Sequence, residues 1–201
     1  MRAFFLSLCL LFASPAFADP FTVEGDTLIY DTERDDDEEI DWDHVDRLRT
    51  LLQTHDIAVL QLNSTGGRVF AAHDMADVIV DFDMHVHVHG TCESACVRLL
   101  LAGTQRTMSR GSSLGFHRFY WDAEDVEAHF ERHKDRRDWA TPFDQASWIY
   151  SDTQTEVQAH LMWMIARGVD PVFAIRSLSY DGDEMWRPYR PVLRAAGVLT
   201  E

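Results

Sequence analysis

Short apolar runs ending in glycine-containing turns alternate with amphipathic stretches along this chain, and that alternation predicts its elements. Phe21 to Tyr30 reads as a small hairpin turning at Glu24-Gly25-Asp26. A helix is expected from about Trp42 to Thr54. The run Ile57 to Leu62 has the look of a buried strand, ending in Asn63-Ser64-Thr65-Gly66-Gly67 before an amphipathic helix from about Arg68 to Val80. A strand from Met84 to His89 is expected to break at Gly90 and turn through Thr91-Cys92-Glu93. A helix from about Ser94 to Ala102 follows, with Gly103 as its stop. The next apolar run, Ser113 to Phe116, ends on His117. Beyond it lie a charged amphipathic stretch, Asp122 to Arg137, and a Trp-rich helical stretch from about Pro142 to Arg167, stopped by Gly168. Asp170-Pro171 has the form of a helix N-cap with proline at the first helical position. A turn over Tyr180 to Trp186 precedes a last helix from about Tyr189 to Ala196, stopped by Gly197. Strands and helices in this order predict one α/β domain.

The chemistry follows from where the polar residues fall on these elements. Ser94 sits at a strand-to-helix corner, where the first amides of the helix have no intrahelical partner and lie at the positive end of its dipole. The N–H of Ala95 is therefore placed to bind a developing oxyanion, and Ser94 is a candidate nucleophile. A serine hydroxyl needs a base within hydrogen-bond reach, and His117 at the end of the next apolar run supplies one. Upstream, Gly66 and Gly67 let backbone N–H groups approach a ligand closely. Each feature also has an ordinary structural role, because serine is a favoured N-cap and glycine a favoured turn residue. Their joint order is what singles them out.

NSTGG, then GTCESAC with its serine, then a helix ending LLLAG, then RTMSRGSSLGFH with its histidine, resemble the ClpP/crotonase superfamily, specifically the ClpP-like serine peptidases. The resemblance covers Ile57 to Arg118 and, more weakly, the C-terminal end. It implies a spiral of β-β-α units with Ser94 as nucleophile, His117 as general base, and Gly66, Gly67 and Ala95 forming the oxyanion hole. An acidic residue that orients the histidine is implied shortly before the last helix. Asp183 is the nearest match, with Asp181 and Glu184 as neighbours, while Asp170 is better explained as a cap. Assembly into a homo-oligomer is implied as well. A lysine base, as in signal-peptide peptidases of the same superfamily, would have to be Lys134. That residue lies on the polar face of a charged helix, where nothing lowers its pKa.

The N-terminus changes the setting. Met1 to Ala18 has a basic start, an apolar stretch and the pattern Ala16-Phe17-Ala18, which predicts a signal peptide cleaved after Ala18 and a periplasmic or secreted protein at residues 19–201. No later apolar run approaches the ~20 residues of a membrane span. The formal net charge of −16 disfavours nucleic acid and anionic lipid as partners. An ATP-driven unfoldase partner is not expected outside the membrane, so the substrate would be an unfolded peptide or a small ester or amide. Cys92 and Cys96, the only cysteines left after export, are expected to pair as a disulfide at the serine corner.

Other features compete for attention. His85, His87 and His89 share one face of a strand, which could hold a metal, although no fourth ligand is suggested. Nine acidic residues and one arginine fill Asp31 to Asp43 and read as a solvated loop leading into a helix. Trp121, Trp139, Trp148 and Trp163 are read as mostly core. No cofactor and no metal are assigned. The sequence thus predicts an exported serine hydrolase. One alternative is a binding module on the same fold with degenerate machinery, motivated by the Glu93 carboxylate beside the oxyanion hole. A second is an exported metal-binding protein using the three strand histidines.

Overall fold

A computed structural model describes residues 19–35, 38–181 and 184–201. The expected signal peptide, Met1 to Ala18, and Asp183 lie outside the described residues. The chain opens with β1 (Phe21–Glu24) and β2 (Thr27–Asp31), an antiparallel hairpin turning at Gly25 and Asp26 as its sequence predicts. Then come α1 (Asp43–Thr54), β3 (Val59–Ser64), α2 (Val69–Asp81), β4 (His85–Glu93), α3 (Cys96–Ala102), β5 (Gln105–Met108) and β6 (Ser113–Gly115). Helices α4 (Ala123–His133), α5 (Pro142–Ala166), α6 (Pro171–Ser177) and α7 (Arg190–Ala195) complete it.

The strands form one sheet in the order β1-β2-β3-β4-β5, parallel from β2 onward, with β6 also paired to β4. Alternating residues send Leu28, Tyr30, Leu60, Leu62, Val86 and Val88 to a fully buried face. The apolar stripes of α1, α2 and α3 complete this core. In α3 every residue but Arg98 is buried, and each large apolar side chain so buried contributes roughly 1.5–3 kcal/mol. The carbonyls that end α3 are taken up by the Arg167 guanidinium, which donates to Leu101 O at 3.0 Å, to Ala102 O and to Gly103 O.

Strand β4 is longer than its sequence suggests. It continues through Gly90 to Glu93 because it meets two partners in turn along one edge: β5 pairs with His85 to Val88 and β6 with Thr91 to Glu93. The Asn63 side chain crosses Gly90, where a Cβ would collide with it, and its Oδ1 accepts from Thr91 N at 2.9 Å. The acidic loop is also more than a solvated lead-in to α1. Ile40 bridges to Gly67, donating to Gly66 O and accepting from Arg68 N, both at 2.8 Å, while Glu33 Oε1 accepts from Thr65 N. Helices α4 and α5 bury little, with only Gln145 and Met164 of α5 in the interior. Of the four tryptophans read as mostly core, Trp163 on α5 packs against the core and the other three do not. Trp121, Trp139 and Trp148 gather around His129 in a separate aromatic cluster, held by Arg137 over Trp139 and Trp148.

Candidate active site

Parallel strands bring their C-terminal ends to one edge of the sheet, where open α/β folds bind ligands. Here β3 ends in the Gly66-Gly67 loop, β4 in Ser94 and β6 just before His117. The parallel register pairs Glu93 with Gly115, and Ser94 N extends the ladder by donating to Gly115 O at 3.0 Å. Ser94 and His117 are thereby set side by side. His117 Nε2 lies 2.6 Å from Ser94 Oγ. His117 Nδ1 lies 2.7 Å from the carbonyl oxygen of Arg118, and since a carbonyl only accepts, Nδ1 carries the proton. The Nε2 lone pair is then left to accept from the serine hydroxyl.

Ser94 does not cap α3. The N-cap is Ala95 and no side chain bonds to the first turn, so the hydroxyl is engaged by histidine rather than by the helix. Its backbone is left-handed, with φ of +53°, a conformation that costs a non-glycine residue of order 1–3 kcal/mol. That twist turns β4 into α3 within two residues and leaves the serine at the corner, half-buried and facing the histidine. The Cys92–Cys96 disulfide spans the corner, with a Cα–Cα distance of 5.3 Å, as the cysteine spacing predicts.

The glycine loop sits against this corner. A Cβ on Gly66 would lie 2.8 Å from Ser94 Cβ and 3.1 Å from Ala95 N, so only glycine allows the approach. The amide of Gly66 donates to Ser64 Oγ at 3.2 Å, which removes it as an oxyanion donor. Gly67 differs: its bridge to Ile40 uses the flanking groups Gly66 O and Arg68 N, so its own N–H faces away from Ile40. Among the described residues neither Gly67 N nor Ala95 N has a protein partner.

Glu93 resolves differently from its sequence reading. It is buried, but Arg187 Nε and Nη2 reach its two carboxylate oxygens at 2.6 and 3.0 Å, and the pairing holds the guanidinium in its charged form. The carboxylate next to the serine is thus compensated by a residue 94 positions away that no local pattern announces. Arg118 pairs with Asp181, and Asp170 caps α6 by accepting from Phe173 N at 2.9 Å. Lys134 pairs with Glu131 on exposed α4. The strand histidines are hydrogen-bonded in a ladder: His85 and His87 to Thr107 Oγ1, and His87 and His89 to Ser109 Oγ, at 2.7–3.1 Å.

Over 88% of its length the chain is similar in fold to a solved mutant of ClpP1 from Listeria monocytogenes, covering 90% of that chain with a TM-score of 0.58 and 17% sequence identity. The chain has a ClpP-like fold. No protein-family model matches the sequence, and no curated protein matches it. The serine corner, the histidine at the end of β6 and the glycine loop after β3 therefore all sit on one edge of a ClpP-like sheet. Sequence reasoning missed Arg98, whose signal was legible: a lone charge in the otherwise apolar helix CVRLLLA, four residues after Ser94.

Proposed function

We propose that this protein is an exported serine hydrolase, peptidase-like, in which Ser94 attacks a peptide or ester carbonyl. The observation that carries the reading is the 2.6 Å contact between Ser94 Oγ and His117 Nε2 at a serine that does not cap its helix. His117 takes the hydroxyl proton as the Oγ–carbonyl carbon bond forms, and returns it to the leaving amine or alcohol as that bond breaks. The negative charge gathering on the carbonyl oxygen is received by the N–H groups of Ala95 and Gly67. Water, deprotonated by the same histidine, then cleaves the acyl-enzyme. The Arg118 carbonyl holds the Nδ1 proton of His117 here, and Asp183, which the sequence resemblance implies as the orienting acid, is proposed to take its place in the working enzyme.

Export is supported by the hydrophobic N-terminus and by a disulfide, which persists in oxidising compartments. Among the described residues no helix is long and apolar enough to cross a membrane. Self-assembly is proposed from the exposed apolar side chains Phe143, Met162, Val172 and Ile175 on α5 and α6. A second reading, a binding module without turnover, is favoured by the Arg118 carbonyl at Nδ1, a weaker orienting partner than a carboxylate. Stopped-flow hydrolysis of p-nitrophenyl acetate by residues 19–201 separates the two. A burst equal to the protein concentration, with an acetylated Ser94 trapped at low pH, supports the hydrolase. Hydrolysis that is unchanged by Ser94→Ala would remove it.

A further inference from the structure

Arg98 is the only charged residue of α3, set between buried Val97 and Leu99 and one helical turn beyond the Ser94 corner. An arginine at such a place normally ends in water or on a carboxylate. This one is half-buried and has no carboxylate partner among the described residues: its Nε and Nη1 are buried without a hydrogen-bond partner, and only Nη2 is left to water. Asp77 of α2 is near enough to be felt by its charge, yet no ion pair forms. The guanidinium carbon instead lies 4.0 Å from the centroid of the Trp163 ring on α5.

Two imidazoles share the neighbourhood, His73 from α2 and His160 from α5. Burial and the Arg98 charge hold both down to about 4, so both are neutral at pH 7, and burial lowers Arg98 itself to about 10. Phe70 packs on His73, and Phe119 packs edge-on against His160 with ring centroids 5.1 Å apart. Apart from His160 and Trp163, which α5 supplies, the walls of this cluster come from segments that lead out of the serine site. Helix α2 follows Gly66-Gly67, α3 follows Ser94, and Phe119 is two residues past His117.

A desolvated cation with unpaired donors is costly, and what relieves it is an acceptor-only group shaped for a guanidinium fork, namely a carboxylate. The neutral imidazoles add hydrogen-bond donors without adding a competing anion. The substrate's reacting carbonyl is anchored to α3 through Ala95 N, while the leaving group departs on the His117 side. Arg98 stands one helical turn along α3 from that anchor, its N–H bonded to Ala95 O at 3.1 Å, which makes it the cation of α3 available to the side chain on the acyl side. We propose that Arg98, flanked by His73 and His160, binds a carboxylate side chain on the substrate residue whose carbonyl Ser94 attacks, making the enzyme selective for Asp or Glu there. This rests on the hydrolase reading above. The chain's net charge of −16 repels acidic peptides at long range, so such selectivity has to come from a local, desolvated cation of this kind.

The test compares N-acetyl-Ala-Ala aldehydes ending in Glu, Leu or Lys as competitors of fluorophosphonate labelling. The Glu aldehyde should protect the wild type at a concentration roughly tenfold or more below the Leu aldehyde. Arg98→Met, checked for folding by circular dichroism, should reverse that order, and Arg98→Lys, which keeps the charge but not the fork, should retain part of the preference. A labelled wild type that the Leu aldehyde protects as well as the Glu aldehyde overturns the proposal and leaves the serine reading standing, as does an unchanged preference in a folded Arg98→Met. Failure of the wild type to label at all removes the serine reading, and this proposal with it.

Discussion

Removing Arg187 should expose how much the site depends on a distant charge. Glu93 keeps 8% of its side chain accessible and Arg187 keeps 53%, so this pair lies between a buried and a surface ion pair. Breaking a buried pair costs about 3–5 kcal/mol because one charge is stranded, whereas an exposed pair is worth about 0–1 kcal/mol. With the carboxylate buried and the guanidinium half in water, Arg187→Ala should cost about 2 kcal/mol. For a domain of this size that is a fall in Tm of about 4–8 °C. The stranded carboxylate adjoins Ser94, so it should also oppose the oxyanion and slow the reaction of the serine with a fluorophosphonate. Glu93→Gln keeps the shape and removes the charge, so the double variant Glu93→Gln/Arg187→Ala should recover most of the lost stability and labelling rate. Urea melts followed by circular dichroism, with labelling rates on the same samples, give the complete cycle. A double variant no better than Arg187→Ala would refute the reasoning, because the loss would then come from arginine packing and not from the stranded charge.

Acid should weaken the fold through His73 and His160. Unfolded, these imidazoles take up protons near pH 6.5, but folded they do so only near pH 4, so the unfolded chain binds more protons between those values and stability falls as pH drops from about 6.5 to 4. Allowing for partial solvent screening, each should contribute on the order of 1–2 kcal/mol, and the double variant His73→Gln/His160→Gln should flatten the melting temperature against pH across that window relative to wild type. Replacing Cys92 and Cys96 together by alanine opens a loop of sequence separation 4 and should cost up to about 2 kcal/mol. Differential scanning calorimetry would detect it as a Tm that dithiothreitol no longer alters.

The elements most legible in the sequence were those with local signals. The β1–β2 hairpin follows from apolar runs around Gly25, α5 begins at the expected Pro142, and Asp170 caps α6. The meeting of Ser94 with His117 was legible because each ends a strand and neighbouring parallel strands finish at the same edge. What was hidden depends on pairing across the sheet or on distant chain. The run of β4 past Gly90 is set by β6 and the charge of Glu93 by Arg187. Trp121, Trp139 and Trp148 misled for a related reason, while Trp163 does pack on the core: helical spacing announces an apolar face without saying whether the core or a separate cluster covers it. In α4 and α5 the separate cluster does.

The central claim is that His117 activates Ser94, and intact mass after fluorophosphonate treatment tests it most directly. Residues 19–201 should gain one adduct between pH 6 and 9, located on Ser94, and both Ser94→Ala and His117→Ala should gain none over the same time. A folded wild type that stays unlabelled across that range, or a His117→Ala variant that labels as fast as wild type, would contradict it.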